Sequence, residues 1–187
     1  MSRIPPLEPP FTPEVEAQLA SMMPPGVPPI ALFRTFAHHL PMTAAMQPWG
    51  RHQLGRDLAL SRREREIVID RTCARCGCEY EWGVHVWMFA ERAQLTRAQV
   101  TSLTFGGPDD ECWLSPRERL LIRAADELQE SGDLDDPLWT ELRAVLDVPE
   151  VLDLLMLSGW YRAISAAARA TRVPLEDAAP RFTDYTP

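Results

Sequence analysis

Apolar residues recur at intervals of three and four along most of the chain. Leu120, Leu121, Ala124 and Leu128 form one such stripe, and prolines and glycines separate it from its neighbours. This spacing matches the 3.6-residue turn of an amphipathic helix, and no segment shows the strict alternation of a half-buried strand. The pattern therefore predicts an all-α fold whose helices are joined by stiff, proline-containing connections. It also predicts that a helix from Met42 to Leu54 is interrupted near Pro48.

Length and charge limit the classes of function. The chain of 187 residues predicts a single domain (1–187), in which 1–27 form an N-terminal arm and a short helix and 174–187 a polar tail. A net charge of −8 argues against a nucleic-acid partner, since no basic face would neutralise phosphates. No apolar run reaches the roughly 18 residues that a membrane span needs.

The cysteines bear on the compartment. Three of the four lie within six residues, unlike the spread framework of a secreted scaffold, and no apolar stretch follows Met1 as in a signal peptide. We therefore expect a cytoplasmic protein with reduced thiols.

Two helix starts are duplicated at an offset of 54 residues. Ser61-Arg-Arg-Glu and Ser115-Pro-Arg-Glu both have the capping-box pattern, which explains the glutamate of each as a helix cap. Glu66 has no such explanation, because its counterpart in the second copy is Leu120, on the core face. Asp70 shares the face of Glu66. A buried carboxylate is costly unless it is hydrogen-bonded or functional.

The candidate site lies around a predicted helical hairpin that turns at Gly77. Cys78, Glu81 and His85 fall within roughly 60° of one another around the second helix. Antiparallel packing would bring Glu66 of the first helix to the same place. A histidine beside a carboxylate can exchange protons near neutral pH, and a thiol near a histidine can become nucleophilic. The candidate catalytic residues are therefore Glu66, Cys78, Glu81 and His85.

Other interpretations of these residues stay open. Cysteine is often simply a core residue, and Glu81 and His85 at a spacing of four also fit a solvated ion pair. Cys73 and Cys76 form a CxxC motif, which suits a redox dithiol or half of a metal site. Cys78 and His85 could supply the two further ligands that a zinc site needs, but the resulting spacing is not a standard zinc pattern. We therefore expect no metal, and we expect no cofactor.

The segments Arg63–Ile69 and Gly77–His85 resemble the carboxymuconolactone decarboxylase family and its relatives, the alkyl hydroperoxidase D (AhpD) proteins. The resemblance implies an all-helical bundle built on the hairpin and assembled as homo-oligomers, namely trimers or multiples of them. The peroxidase branch carries Glu-x11-Cys-x2-Cys-x3-His. Glu66, Cys78 and His85 fall on three of these positions, and Glu81 stands where the second cysteine would be.

Three functions follow from this reasoning, and we expect a small-molecule substrate for the first two. The first is a thiol-dependent peroxidase of peroxiredoxin type, with Cys78 as the reactive thiol, Glu66 and His85 as a proton relay, and Cys73 or Cys76 as redox partner. The second is a cofactor-free lyase that acts on a small lactone or carboxylic acid, with Glu81 and His85 as acid and base. The third is a non-catalytic assembly or binding module.

Overall fold

A computed structural model describes all residues, 1–187, and its architecture is all-helical, as the sequence predicts. None of the helices is both long and apolar enough to cross a membrane. The α-helices follow one another in the order α1 (Pro13–Met22), α2 (Ala31–Phe36), α3 (Leu40–Leu54), α4 (Arg62–Arg75), α5 (Glu79–Phe89), α6 (Arg97–Phe105), α7 (Pro116–Glu130), α8 (Asp136–Val145) and α9 (Val148–Thr171).

Helix α4 lies at the centre of the bundle, in contact with α5, α6, α7 and α9. Its residues from Arg65 to Cys73 are all buried, although five of these nine are charged or polar. Ile67, Val68 and Ile69 belong to the largest hydrophobic cluster of the protein. Side chains on every face of α4 therefore meet protein, and polar residues on this helix need partners inside the fold.

The duplicated helix starts face each other across α4 and α7. Arg63 pairs with Glu118 at 2.6 Å, and Arg117 pairs with Glu64 at 2.5 Å. Glu64 also completes the expected capping box with Ser61, whereas the side chain of Glu118 is used only for the ion pair. The repeated Arg-Glu dipeptide thus clamps the two helices together in addition to starting each one.

The predicted hairpin turns at Gly77, which adopts φ +62°, a conformation that suits glycine. The backbone N–H of Cys78 donates to the carbonyl of Cys73 across the turn, at 2.9 Å. The second helix of the hairpin ends at Phe89. There the N–H of Leu95 returns to the carbonyl of Ala90, closing a turn in place of further helix.

One predicted interruption is wrong. The sequence favours a break of the third helix near Pro48, but α3 continues through this residue to Leu54. Pro48 removes one backbone donor, and both Pro48 and Ala44, whose carbonyl loses its partner, are exposed to solvent. Water can therefore satisfy the freed carbonyl, and the rest of the helix keeps its hydrogen bonds.

The C-terminal segment (residues 174–187) packs along α5. Tyr80 donates a hydrogen bond to Glu176 at 2.7 Å, and Glu79 accepts one from the N–H of Phe182. The ring of Phe182 also packs on Trp82, with centroids 4.8 Å apart. One face of α5 is thereby covered by this segment, while the opposite face carries the candidate site.

Candidate active site

Two buried side chains from the two arms of the hairpin meet at hydrogen-bond distance. His85 Nδ1 lies 2.8 Å from Glu66 Oε2, and both residues are almost fully removed from solvent. A carboxylate only accepts hydrogen bonds, so Nδ1 carries the proton in this pair. In the neutral ring, Nε2 is then an acceptor that faces away from Glu66.

Arg65 holds the other oxygen of the same carboxylate. Its Nε donates to Glu66 Oε1 at 2.6 Å, and its Nη1 donates to the carbonyl of Leu54 at 3.0 Å. The guanidinium also lies over the ring of Phe89, 5.5 Å from the centroid. A buried carboxylate is stable only with such partners, so Arg65 balances the charge of Glu66 and fixes its orientation toward the imidazole.

Glu81 lies on the free side of the imidazole. Its Oε1 is 3.7 Å from His85 Nε2, slightly beyond a direct hydrogen bond, and its buried Oε2 has no protein partner. Burial raises the pKa of the Glu81 carboxyl, and the nearby His85 opposes that shift. Glu81 is therefore a carboxyl group with an increased tendency to hold a proton, and it has an oxygen free to meet another molecule.

Aromatic rings enclose the imidazole. The ring of Tyr161 on α9 meets it edge to face with centroids 4.9 Å apart, and Phe89 lies at 5.1 Å. Tyr161 is not among the site residues predicted from the sequence. The signal for it was a tyrosine on the apolar stripe of α9, four residues after Leu157. These rings fix the position of His85 and exclude bulk water from it.

Asp70 lies one turn after Glu66 and is fully buried, and neither of its carboxylate oxygens has a protein partner. Burial raises the pKa of its carboxyl well above the usual range, and the negative charge of Glu66 raises it further. Asp70 thus differs from Glu66, its neighbour on the same face, in having no counter-charge.

None of the three thiols of the hairpin forms a hydrogen bond with the imidazole of His85. Cys78 and Cys73 are fully buried, and Cys73 accepts a contact of 3.8 Å from Ser165 Oγ. Cys76 is half-buried and contacts Gln129. Burial raises the pKa of all three thiols, most strongly that of Cys73. All four cysteines are unpaired.

Metal ligands do not cluster in this fold. Nowhere do three or more His, Cys, Asp or Glu side chains come together in an arrangement that could hold a metal ion. The four groups Cys73, Cys76, Cys78 and His85, considered above as zinc ligands, are therefore not gathered into one set.

Residues 44–106 match the model of the carboxymuconolactone decarboxylase family, which confirms the resemblance inferred from the motif. The matched segment contains α4, the hairpin turn and α5, and therefore all four candidate catalytic residues. No curated protein sequence matches the chain.

Solved structures confirm the AhpD-like fold. An AhpD-core, peroxidase-related protein from Ralstonia eutropha JMP134 is 14% identical, with 93% of each chain covered and a TM-score of 0.76. A peroxidase-related protein from Silicibacter sp. TM1040 is 15% identical, with 95% of this chain and 93% of the other covered and a TM-score of 0.75. The debrominase Bmp8, in a cysteine-to-alanine variant bound to 2,3,4-tribromopyrrole, is 14% identical over 95% of this chain and 94% of its own, with a TM-score of 0.74.

Proposed function

We propose that the chain is a cofactor-free acid–base enzyme of the lyase or isomerase type, acting on a small lactone or carboxylic acid. The observation that carries this proposal is the line of three groups in which Glu66 orients His85 and the free Nε2 of His85 faces Glu81. Two titratable groups in different environments, side by side and buried, are the usual equipment for moving a proton.

Each group has a distinct role in the proposed reaction. Glu66 and Arg65 position the imidazole and never touch the substrate. His85 Nε2 removes a proton from the substrate, or the substrate loses carbon dioxide as its carbon–carbon bond breaks. The electron pair left on carbon then takes a proton from Glu81, whose raised pKa favours the protonated form. In the isomerase route, the proton that His85 gained passes to Glu81 and restores both groups, and in the decarboxylase route Glu81 takes its replacement proton from water.

The surroundings restrict the size of the substrate. Only 3% of His85 and 6% of Glu81 are exposed, so a molecule must be small to reach both groups. The free oxygen of Glu81 and the two free oxygens of Asp70 supply polar contacts for it. One protein of the same fold, the debrominase Bmp8, binds a small ring compound, which supports a site of this scale.

The test is turnover of a panel of small lactones, β-keto acids and alkyl peroxides by the wild type and three variants. We expect His85→Gln and Glu81→Gln to lower lactone or keto-acid turnover by a factor of about 10²–10⁴. Cys78→Ser should retain it, because the thiol has no place in the proton transfer.

Circular dichroism and thermal melting of each variant show that any loss is not unfolding. Full activity of His85→Gln would refute the acid–base proposal. If no compound turned over and every substitution only lowered the melting temperature, the buried groups would serve to lock the helices, as in the non-catalytic interpretation.

A thiol-dependent peroxidase is the second candidate, and one observation favours it. Cys78 precedes the first turn of α5, and the backbone N–H of Glu81 in that turn lowers the pKa of its thiol in opposition to burial. Peroxide would oxidise the thiol to a sulfenic acid and leave as an alcohol, and Cys73 or Cys76 would then close a disulfide with loss of water. This route predicts that Cys78→Ser abolishes peroxide turnover while His85→Gln only slows it.

Self-association is supported by an apolar stripe on the outer face of α9. Val148, Leu152 and Met156 recur every four residues and are each about half exposed, which is unusual for large apolar side chains. We propose that this stripe is buried between copies in a trimer or a multiple of it. Leu152→Glu should then lower the molar mass measured by light scattering, and an unchanged mass would count against this surface.

We also propose a cytoplasmic location, which the four unpaired thiols support.

A further inference from the structure

A surface cavity, separate from the acid–base site, opens where the C-terminal ends of α4, α7 and α9 meet. Its volume is about 670 Å³, and it contains none of the candidate catalytic residues Glu66, Cys78, Glu81 and His85. Five of its nine lining residues are arginines and no aspartate or glutamate lines it; the arginines are Arg3, Arg75, Arg162, Arg169 and Arg172. The half-buried thiol of Cys76 forms part of the wall.

Backbone carbonyls fix several of these guanidinium groups in place. Arg162 Nη1 donates to the carbonyl of Leu128 at 3.1 Å, and Arg169 Nη1 donates to the carbonyl of Cys76 at 2.6 Å. Capping a helix C-terminus in this way uses one arm of a fork that carries five N–H donors. The remaining donors are therefore available to a molecule in the cavity.

The charge is concentrated beyond what helix capping requires. The chain has a net charge of −8 and contains no lysine, so all 19 of its basic side chains are arginines. Five of these surround one cavity, and only Arg75 meets a carboxylate there, that of Asp126 at 3.3 Å. Like charges held close together repel one another, and a bound anion would relieve that repulsion.

We propose that this cavity binds a small anion carrying two or more negative charges on carboxylate or phosphate groups, with Cys76 in contact with the bound molecule. Arginine is the side chain best suited to this chemistry, since its planar fork pairs with two oxygens of either group. The pKa of the Cys76 thiol is raised by burial, and Arg162 and Arg169 oppose that shift, which places both cations within electrostatic reach of the sulfur.

Charge-selective alkylation of Cys76 tests the proposal without a known ligand. Iodoacetate and iodoacetamide differ in charge and little in size, and peptide mass mapping separates Cys76 from Cys112, the other half-buried thiol. Cys112 lies beside the acidic loop of Asp110 and serves as an internal control. We expect the ratio of the iodoacetate rate to the iodoacetamide rate to be about tenfold higher at Cys76.

Variants and competitors complete the experiment. Arg162→Gln and Arg169→Gln should each lower that ratio at least about twofold. Arg123 lies on α7 away from the cavity and pairs with Glu141 of α8, so Arg123→Gln should leave the ratio unchanged. Citrate and inorganic phosphate, at constant ionic strength, should protect Cys76 saturably from iodoacetamide. Protection by one alone identifies the carboxylate or the phosphate class. Equal ratios at the two thiols, no protection by either anion, or no reaction of Cys76 with either reagent would overturn the proposal.

Discussion

Replacing Glu66 by glutamine perturbs the centre of the site with the smallest change in volume. The carboxylate of Glu66 joins two partners, Arg65 at 2.6 Å and His85 at 2.8 Å, and it is fully buried. The amide of glutamine keeps one acceptor oxygen but loses the charge. Arg65 would then be a buried cation without a counter-charge, and His85 would lose the carboxylate that fixes its tautomer.

The loss of stability can be sized from the type of contact. Removing one partner of a buried ion pair destabilises a protein by about 3–5 kcal/mol. Total stabilities of domains lie near 5–15 kcal/mol, so Glu66→Gln should lose about a fifth of the total or more. The double variant Arg65→Met with Glu66→Gln should recover much of this loss, because it leaves no unpaired buried charge.

Asp70→Asn is the matched control. It makes the same chemical change one turn later on α4, at a carboxyl group that is equally buried but has no partner. Its folded pKa lies well above its ordinary value of 3.8. A carboxyl group whose pKa is raised in the folded state makes its full contribution to protein stability below its pKa in the unfolded state. That contribution is lost as the pH rises through the folded pKa. Asp70→Asn should therefore be more stable than the wild type near pH 7, and the difference should vanish near pH 4.

Urea unfolding followed by circular dichroism, at pH 4 and at pH 7, measures these differences. We expect Glu66→Gln to be strongly destabilised and Asp70→Asn to be stabilised at pH 7. A Glu66→Gln protein as stable as the wild type, with lactone or keto-acid turnover unchanged, would refute the role assigned to this carboxylate.

Three further predictions concern the frame around the site. A Cβ on Gly83 would lie 2.7 Å from a backbone oxygen of the C-terminal segment, so Gly83→Ala should lower the free energy of unfolding by about 1–3 kcal/mol. A Cβ on Gly50 would meet only an ordinary contact, so Gly50→Ala should raise the free energy of unfolding by about 0.5–1 kcal/mol. Urea titration of the two variants distinguishes these effects. Tyr80→Phe removes a hydroxyl that donates to Glu176 and accepts from a backbone N–H, so the free energy of unfolding should fall by about 1–3 kcal/mol. An unchanged melting curve would contradict this. Arg63→Glu should be rescued in part by Glu118→Arg, and a double-mutant cycle with no coupling would show that the pair is not formed in solution.

The helices could be predicted from sequence because local signals agree with the tertiary structure. Ser61 and Ser115 start helices at the residues that the capping pattern indicates, and Gly77 turns the hairpin. Pro48 misled the prediction, because a proline's lost hydrogen bond can be supplied by water on an exposed face, and exposure cannot be read from a local pattern.

The partners of the candidate site were harder to predict. Adjacent residues on a helix point in different directions, so helix geometry argues against a contact between Arg65 and Glu66. The long side chain of Arg65 nevertheless reaches the carboxylate of its neighbour. Tyr161 comes from α9, 76 positions after His85, and the packing of α9 against α5 cannot be read from either sequence pattern alone.

The arginine-lined cavity shows a second limit. Its arginines come from the N-terminal arm, from α4 and from α9 with its C-cap. Arg75, Arg169 and Arg172 are each typical of a helix C-terminus when considered alone. Only the packing of the helices brings the charges together. The overall negative charge of the chain therefore gave no sign of a cationic cavity.

The tautomer of His85, read by nitrogen NMR of histidine-labelled protein near pH 7, tests the acid–base site most directly. We expect the proton on Nδ1, hydrogen-bonded to Glu66 and protected from exchange, and an unprotonated Nε2. This signal should persist in Asp70→Asn and be lost in Glu66→Gln. A proton resident on Nε2, or an Nδ1 signal unchanged in Glu66→Gln, would contradict the proposed arrangement of acid and base.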